Sequence, residues 1–354
     1  MIKHKFFLSL AFNLAEKNLG KTRNNPSVGC VIVKNNSVLS SGTTSINGRP
    51  HAEFNALNKN LNFNGSDMYV TLEPCTHYGL TPPCTQIIKK NKIKNVFYSF
   101  KDPDRRTFGK AKKDLLNSAI NVKRIEIDKN KFYKSYFLNK IKEFPLIDAK
   151  IAISKDFNTI SKKSKRITNN RSRNVSHLLR SRYDCIISTS KTINKDNALL
   201  NCRINGLKKN QPDLIIIDRD LKLKKNLSLF KMKIARKTYI FTTRINNRKK
   251  INFFKNNKCK IINVDSLKSK KDFLNLFSIL FKIGKRRILI EAGLTFLKKL
   301  LSLKLINDLY IFQSQKNLKQ SGYNNISSKY LRKYKLSKPV NVNLNGDKLF
   351  KIKV

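Results

Sequence analysis

The sequence predicts two consecutive α/β domains. Apolar, strand-like runs alternate with helix-like segments along most of the chain. The 354 residues are enough for about two domains of roughly 150 residues each. A segment rich in Lys, Phe and Tyr, 128–143, separates two such alternating regions, and a new strand begins after Pro145. The predicted domains are therefore 1–144 and 145–354.

Local patterns predict the elements of the first domain. The chain begins with an amphipathic helix, because Phe6, Leu10 and Leu14 recur at helical spacing. Strands are predicted over 28–33, 37–41, 68–72, 95–99 and 122–127, and helices over 52–58, from 83 onwards, over 115–119 and within 128–143.

The second domain repeats the alternation. Strands are predicted over 144–153, 185–188, 214–217, 238–242, 260–264, 288–290 and 308–312, and helices over 172–181, 271–282 and 294–302. No two glycines are separated by a single residue, so the Gly-x-Gly-x-x-Gly loop is absent. A nicotinamide cofactor would therefore bind without the Rossmann phosphate loop.

The chain is strongly basic, with 75 Lys and Arg against 22 Asp and Glu and a formal charge of +53. Such a charge is typical of nucleic-acid binding. Here the lysines are scattered in short clusters, which favours a general compositional drift over one dedicated surface. We therefore expect no specific nucleic-acid partner, although an RNA-binding base deaminase remains an alternative.

Six cysteines in a chain of this size do not indicate a disulfide scaffold, so cytosolic thiols or metal ligands are expected. The apolar run 6–12 resembles a short signal peptide, but Asn13 and Glu16 interrupt it and no small-x-small cleavage site follows. No run has the roughly 18 apolar residues of a membrane span. The expectation is a cytoplasmic protein.

A zinc site is the strongest signal. His51 and Glu53 are followed by Cys75 and Cys84, which supply one imidazole and two thiolates. A hydrolytic zinc site has three protein ligands and one open position, where the pKa of water falls toward neutrality. A carboxylate that does not bind the metal must then move the proton, and Glu53 is two residues from His51. This order of residues is the signature of zinc nucleobase deaminases.

Other interpretations of these residues remain open. His51 could cap a helix, Glu53 could be solvated, and both cysteines could be buried thiols. His77 could compete as a zinc ligand, but a contact with substrate is preferred because thiolate is the softer ligand.

The chain resembles the bifunctional riboflavin-biosynthesis deaminase/reductase family. The resemblance is carried by the segments NPSVGCVIV at 25–33, PHAE at 50–53 and TLEPCTHYGLTPPC at 71–84. The eight residues between the cysteines, ending in Thr-Pro-Pro, distinguish this family from deaminases with the short Cys-x-x-Cys spacing. Further similarity lies at 150–156, 166–168, 177–184, 192–203 and 291–295.

The resemblance implies a cytidine-deaminase-like α/β/α domain followed by a dihydrofolate-reductase-like α/β domain. The first domain would deaminate 2,5-diamino-6-ribosylamino-4(3H)-pyrimidinone 5′-phosphate, and the second would use NADPH to reduce the ribosyl group to ribityl. One Zn²⁺ per chain would bind His51, Cys75 and Cys84, with Glu53 as the catalytic residue. A homo-oligomer is expected.

The resemblance also implies the contacts with the small-molecule substrate and with NADPH. Arg180 and Arg203 would bind the substrate phosphate, since the guanidinium fork suits phosphate oxygens. The implied substrate contacts are Asn25, His77, Ser164, Arg180, Leu200, Arg203 and Glu291. The implied NADPH contacts are Ala152, Arg166, Thr192, Asp196, Gly293, Leu294 and Thr295.

Glu291 also has support from its position. It is the only glutamate after Glu143 and it ends an apolar run, and ligands of α/β sheets bind at the carboxyl ends of strands.

The second domain departs from the family pattern at several positions. Phe157 replaces a glycine, Arg166 replaces a tryptophan, and Ala198 and Leu294 each replace a proline. An active deaminase with a degenerate, non-catalytic reductase domain is therefore the second hypothesis.

Overall fold

The computed structural model describes residues 2–129, 131–164, 166–207, 211–232, 234–327 and 329–354. The chain divides into two compact units, Met1–Phe144 and Pro145–Val354. Within the described residues, no helix is both long enough and apolar enough to cross a membrane.

A five-stranded sheet forms the centre of the first unit. Its strands are β1 (Gly29–Lys34), β2 (Ser37–Thr43), β3 (Asp67–Leu72), β4 (Asn95–Phe100) and β5 (Asn121–Arg124). They lie in the order β2-β1-β3-β4-β5, with β1 antiparallel to both of its neighbours and β3, β4 and β5 parallel.

Helices cover both faces of this sheet. They are α1 (Ile2–Glu16), α2 (Ala52–Leu57), α3 (Cys84–Lys90), α4 (Lys110–Leu116) and α5 (Lys134–Lys142). The period-2 alternation of β1 divides the core, because Val31 and Val33 pack with α1 whereas Cys30 and Ile32 face the other side. The predicted first helix is confirmed, but its buried face consists of Phe7, Leu8, Ala11, Phe12 and Ala15, whereas Phe6 is exposed and Leu10 and Leu14 are half-buried.

Close packing between β2 and α2 fixes the start of α2. A β-carbon on Gly42 would lie 2.3 Å from the carbonyl oxygen of Ala52, so only glycine allows this approach. His51 directly precedes α2, β3 leads into Cys75, and α3 begins at Cys84. The ends of three elements therefore bring the predicted zinc ligands to one edge of the unit.

An eight-stranded sheet forms the centre of the second unit. Its strands are β6 (Leu146–Ile153), β8 (Cys185–Thr189), β9 (Asp213–Ile217), β10 (Thr238–Thr242), β11 (Cys259–Asn263), β12 (Arg287–Ile290), β13 (Asp308–Gln313) and β15 (Lys348–Lys353); a separate ribbon pairs β7 (Ile160–Ser161) with β14 (Gly322–Tyr323). The order is β11-β10-β9-β8-β12-β6-β13-β15, all parallel except β15.

The helices of the second unit connect these parallel strands. They are α6 (Asn170–Arg180), α7 (Ser190–Asp196), α8 (Ser228–Lys231), α9 (Arg248–Asn256), α10 (Lys270–Lys282), α11 (Leu294–Ser302) and α12 (Lys329–Arg332). Strands β8, β9 and β12 are almost wholly buried, as parallel strands covered on both faces must be.

Three predicted boundaries in the first unit are wrong. The helix predicted over 115–119 begins at Lys110 and ends at Leu116, because Ala119 adopts a left-handed φ of 59°. The strand predicted over 122–127 ends at Arg124. Among the described residues of 128–143, only Lys134–Lys142 is α-helical.

The sequence did not predict the short elements β7, β14, α7, α8 and α12, nor α9 and the antiparallel edge strand β15. β7, β14, α8 and α12 have two to four residues and α7 has seven. Elements this short show little or no hydrophobic period, and their stability depends on packing against distant segments.

Candidate active site

The three predicted zinc ligands converge at the edge of the first unit. Nδ1 of His51 lies 3.7 Å from Sγ of Cys75 and 3.4 Å from Sγ of Cys84. The three ligand atoms all lie within 4.8 Å of one another. The His51 side chain does not cap α2, which argues against a purely capping role for this residue.

These residues fit a zinc ion. Zn–S bonds of about 2.3 Å and Zn–N bonds of about 2.0 Å place tetrahedral sulfur and nitrogen ligands about 3.6 Å apart, close to both observed separations. One imidazole and two thiolates leave a fourth position open, as in hydrolytic rather than structural sites.

The two cysteines form an asymmetric pair. A hydrogen bond from the Cys84 thiol lowers the pKa of Cys75 to about 4, and the same hydrogen bond, with burial, raises the pKa of Cys84. The backbone N–H of Cys84 also donates to Sγ of Cys75, over 3.2 Å. Cys75 is therefore the more readily deprotonated of the two cysteines, and the deprotonated form is the one that binds a metal.

Glu53 is the carboxylate nearest to this group in sequence, and its side chain is buried, with 4 % of the residue exposed. Burial raises the pKa of Glu53 to about 7, although the nearby His51 lowers it. A carboxyl group with a pKa near neutrality can both accept and return a proton at physiological pH. The solvated alternative for Glu53 is wrong.

Two predicted substrate contacts border the metal group. The Asn25 side-chain amide donates to the carbonyl of Gly48 over 2.8 Å, beside the turn that leads to His51. Nδ1 of His77 lies 3.1 Å from the hydroxyl of buried Thr107, and burial lowers the pKa of this imidazole. Both residues have half-buried side chains.

Glu73 is an organising residue that the sequence did not single out. Its carboxylate is 2 % exposed and accepts the backbone N–H groups of Asp102, Gly109 and Ala111 at 3.2, 3.1 and 3.3 Å. These bonds hold the 102–111 segment, which carries Thr107, against β3. In the sequence, the available signal for this role was a glutamate that directly follows an apolar strand and directly precedes the Pro-Cys pair.

A second polar cluster lies at the carboxyl end of β12. The Arg180 guanidinium donates two hydrogen bonds to Glu291, with Nε–Oε1 2.6 Å and Nη2–Oε2 2.9 Å. Nζ of Lys150 lies 3.8 Å from Oε2 of Glu291. Burial alone would raise the pKa of Glu291, but the charge and hydrogen bonds of Arg180 outweigh it and lower the pKa to about 2.

His177 links this ion pair to Arg203. Its Nδ1 lies 2.8 Å from the Asn201 carbonyl and its Nε2 lies 3.1 Å from Nη2 of Arg203. Burial and the charge of Arg180 lower the pKa of His177 to about 4, so the ring is neutral and its Nε2 accepts from Arg203. His177 therefore lies between Arg180 and Arg203, the two arginines that were predicted to bind the substrate phosphate.

The predicted NADPH contacts fall into separate groups. The Gly293 N–H donates to the Thr192 hydroxyl over 3.1 Å, which joins α7 to the start of α11. Leu294 is buried in α11 and Thr295 is exposed on it. Asp196 ends α7, and Ala152 is half-buried on β6.

The remaining predicted contacts lie in irregular segments. Ser164 and Arg166 are exposed and hydrogen-bonded to each other, and no described hydrogen bond joins them to Glu291. Leu200 is 8 % exposed with a left-handed φ of 49°, and the Arg236 guanidinium donates to its carbonyl over 2.9 Å.

The substitution of glycine by Phe157 does not abolish the turn in which it lies. Phe157 adopts a φ of 67°, the left-handed conformation that glycine adopts without strain. The Asp156 carboxylate stabilises this turn by accepting the N–H groups of Leu318 and Lys319, over 3.0 and 2.8 Å.

Lys150 and His177 are members of the second cluster that the sequence did not assign to it. Lys150 was detectable as one of two charges, with Asp148, inside a largely apolar strand, and His177 as one of only four histidines in the chain. Neither signal identifies a partner, because Glu291 is 141 and 114 residues away.

Known proteins resemble both units. Residues 1–100 match the family described as the cytidine and deoxycytidylate deaminase zinc-binding region, and residues 145–317 match the RibD C-terminal domain. The riboflavin biosynthesis protein RibD of Buchnera aphidicola subsp. Baizongia pistaciae is 33% identical over 335 residues, which cover 90% of this chain and 88% of that protein.

Two solved structures match nearly the whole chain. RibD of Acinetobacter baumannii, form 1, has a TM-score of 0.82 and 27% identity, covering 99% of this chain and 98% of that one. A Thermotoga maritima protein has a TM-score of 0.82 and 25% identity, with the same coverage. It is named a diaminohydroxyphosphoribosylaminopyrimidine deaminase/5-amino-6-(5-phosphoribosylamino)uracil reductase.

Proposed function

Because this chain belongs to the RibD family, we propose that its His51, Cys75 and Cys84 bind one zinc ion for pyrimidine deamination and that the Glu291 cluster binds the substrate of the reductase. The chain is a bifunctional deaminase and reductase of riboflavin biosynthesis, with zinc and NADPH as cofactors. The observation that carries the residue assignment is the convergence of one imidazole and two cysteine sulfurs beside Glu53.

Glu53 moves the proton in the proposed deamination. A zinc ion held by these three residues would supply a Lewis acid that lowers the pKa of a water molecule. The buried Glu53 carboxylate would take a proton from the attacking water as the water oxygen bonds to the ring carbon, and would return that proton to the amino group, which leaves as ammonia. Burial raises the pKa of Glu53, which helps the carboxyl group to return the proton. Asn25 and His77 hold the substrate at the edge of the site.

The second cluster holds the deaminated product for reduction. NADPH supplies the hydride. Arg203 is exposed and its guanidinium suits a phosphate, whereas Arg180 already donates to Glu291 and to the Asn201 carbonyl. Lys150 is the proton donor we assign, because it can release a proton whereas guanidinium groups stay protonated. The roles of Ser164, Leu200 and the NADPH contacts stay predictions.

Turnover of the diaminopyrimidinone nucleotide by the zinc-loaded chain tests both halves. Ammonia release and NADPH absorbance are followed in one reaction. We expect ammonia release followed by NADPH oxidation. Ammonia release without NADPH oxidation would instead support the degenerate reductase, with Phe157, Arg166 and Ala198 as the first substitutions to revert. No ammonia release from the zinc-loaded chain refutes the deaminase assignment.

We also propose a cytoplasmic homo-oligomer without a specific nucleic-acid partner. The cytoplasm keeps thiols reduced, and no disulfide joins any of the six cysteines, all of which lie among the described residues. Exposed apolar side chains on α1, Ile2 at 90% and Phe6 at 59%, support association. Light scattering during gel filtration measures the oligomeric state. The chain should bind RNA no more tightly than it binds any other polyanion, and its affinity for both should fall as the salt concentration rises.

A further inference from the structure

We propose that Arg49 binds the 5′-phosphate of the deaminase substrate and so selects the phosphorylated nucleotide. This inference rests on the proposed function, in which the substrate is a phosphate monoester. It adds a residue that neither the motif nor the comparisons assign.

Arg49 lies at the border of the zinc site. It is two residues before His51, and its guanidinium donates to the hydroxyl of Thr81. A β-carbon on Gly79 would lie 3.4 Å from Nη2 of Arg49. Gly79 and Thr81 belong to the 76–83 loop between the two cysteine ligands. The guanidinium therefore lies against the loop that joins the two cysteine ligands.

Three other cations in this part of the first unit already have a partner side chain. Arg106 and Lys140 both pair with Asp104, at 2.7 and 2.9 Å, and the Lys101 ammonium lies over the Phe108 ring at 5.2 Å. Among the described residues, no carboxylate lies within ion-pair distance of Arg49. Its charge is therefore available to an anionic ligand.

The backbone around Arg49 is held in place before substrate arrives. Gly48 adopts a left-handed φ of 94°, and its carbonyl accepts the Asn25 amide. The carbonyl of Pro50 accepts the N–H of Ser45 over 3.0 Å. A guanidinium has five N–H donors, so the bond to Thr81 leaves others for two phosphate oxygens. Preorganisation of this kind reduces the entropic cost of binding.

A purely structural role makes a different prediction. If Arg49 only anchors the 76–83 loop, its loss would impair every substrate alike, and removing the Thr81 hydroxyl would do the same. If it binds phosphate, only the phosphorylated substrate is affected, and Thr81→Ala has a small effect.

The test compares Arg49→Gln, Arg49→Lys and Thr81→Ala with the wild-type chain, on the phosphorylated substrate and on its dephosphorylated riboside. For Arg49→Gln, kcat/KM for the phosphorylated substrate should fall about 10- to 100-fold, mainly through KM, while kcat/KM for the riboside stays unchanged. Arg49→Lys should recover part of the loss. Inorganic phosphate should inhibit riboside deamination in the wild type more strongly than in Arg49→Gln.

Arg105→Gln is the matched control, because Arg105 is an exposed arginine on the neighbouring 102–111 segment, and it should leave both substrates unaffected. Equal losses on both substrates, or no loss on either, would overturn the inference while the deaminase assignment stands. A wild-type chain that releases no ammonia would refute the proposed function and the inference with it.

Discussion

At the scale of single residues, the balance between burial and the charge of hydrogen-bonding partners sets the chemistry of the carboxylates. Glu53 and Glu291 are both nearly inaccessible to solvent, yet their pKa values move in opposite directions, to about 7 and about 2. For Glu53, burial outweighs the nearby positive charge, whereas Glu291 receives two hydrogen bonds from Arg180. Glu53 is therefore suited to move a proton, whereas Glu291 stays ionised and pairs with the cations Arg180 and Lys150.

Replacing Glu53 by Gln should reduce ammonia release about 100- to 10,000-fold, because the amide cannot accept the proton from water. Zinc content, measured by atomic absorption, should stay at the wild-type level, since Glu53 is not a ligand. The matched control is Glu126→Gln, whose carboxylate is 82% exposed and should be dispensable. Loss of zinc from the Glu53 variant would contradict the assigned role.

Replacing Glu291 by Gln should destabilise the second unit at pH 7 by about 3 kcal/mol, because Arg180 and Lys150 lose a buried counter-charge. The folded-state pKa of Glu291, about 2, lies below its ordinary value of 4.5. The stabilisation is therefore fully present above the ordinary value and is lost as the pH falls toward 2.

Urea unfolding at pH 7 and at pH 3 measures this difference. The difference in unfolding free energy between the wild type and Glu291→Gln should be smaller at pH 3 than at pH 7. Asp220→Asn is the control, since the Asp220 carboxylate forms only exposed ion pairs with Arg219 and Arg244. A gap that does not change with pH would show that Glu291 is not the stabilising anion.

At the scale of elements, strand ends and helix starts position both clusters. The zinc ligands lie at the start of α2, after β3 and at the start of α3, while Glu291 follows β12. The predicted fold class, a deaminase-like domain followed by a reductase-like domain, is confirmed. Segments between elements need separate anchors, and Glu73 anchors the 102–111 segment.

Replacing Glu73 by Ala should leave three backbone N–H groups without their acceptor and lower the unfolding free energy of the first unit by about 2 to 3 kcal/mol. The KM for the deaminase substrate should rise, because Thr107 would no longer be held beside His77. Calorimetry and steady-state kinetics measure the two effects. Glu126→Ala, which removes only a surface ion pair with Arg124, should have little effect on either. Equal destabilisation by both substitutions would refute the anchoring role.

At the scale of the whole molecule, the two activities are assigned to units with separate cores. Removing zinc with a chelator should abolish ammonia release but leave NADPH oxidation intact when the deaminated product is supplied. Adding Zn²⁺ should restore ammonia release. The two assays, run on the same chelated sample, check this directly. Loss of both activities on chelation, with recovery of both on zinc addition, would mean that the reductase also depends on the metal.

The sequence by itself predicted the set of zinc ligands and Glu53, and it determined most strands, because each of these is encoded locally. The ligand set is recognisable from spacing, and buried strands are recognisable from short apolar runs. The sequence predicted element boundaries less well than element types. Ala119, for example, adopts a left-handed φ after α4, which its residue type does not indicate.

Only the tertiary structure decided how the second cluster is arranged and where Arg49 points. Arg180 and Glu291 are 111 residues apart, and Arg49 and Thr81 are 32 apart. Nothing in a local pattern of a basic chain indicates which of its 75 cations meets a carboxylate and which remains available for a ligand. That distinction depends on which side chains the folded backbone brings within hydrogen-bonding distance, and on how far burial removes them from competing water.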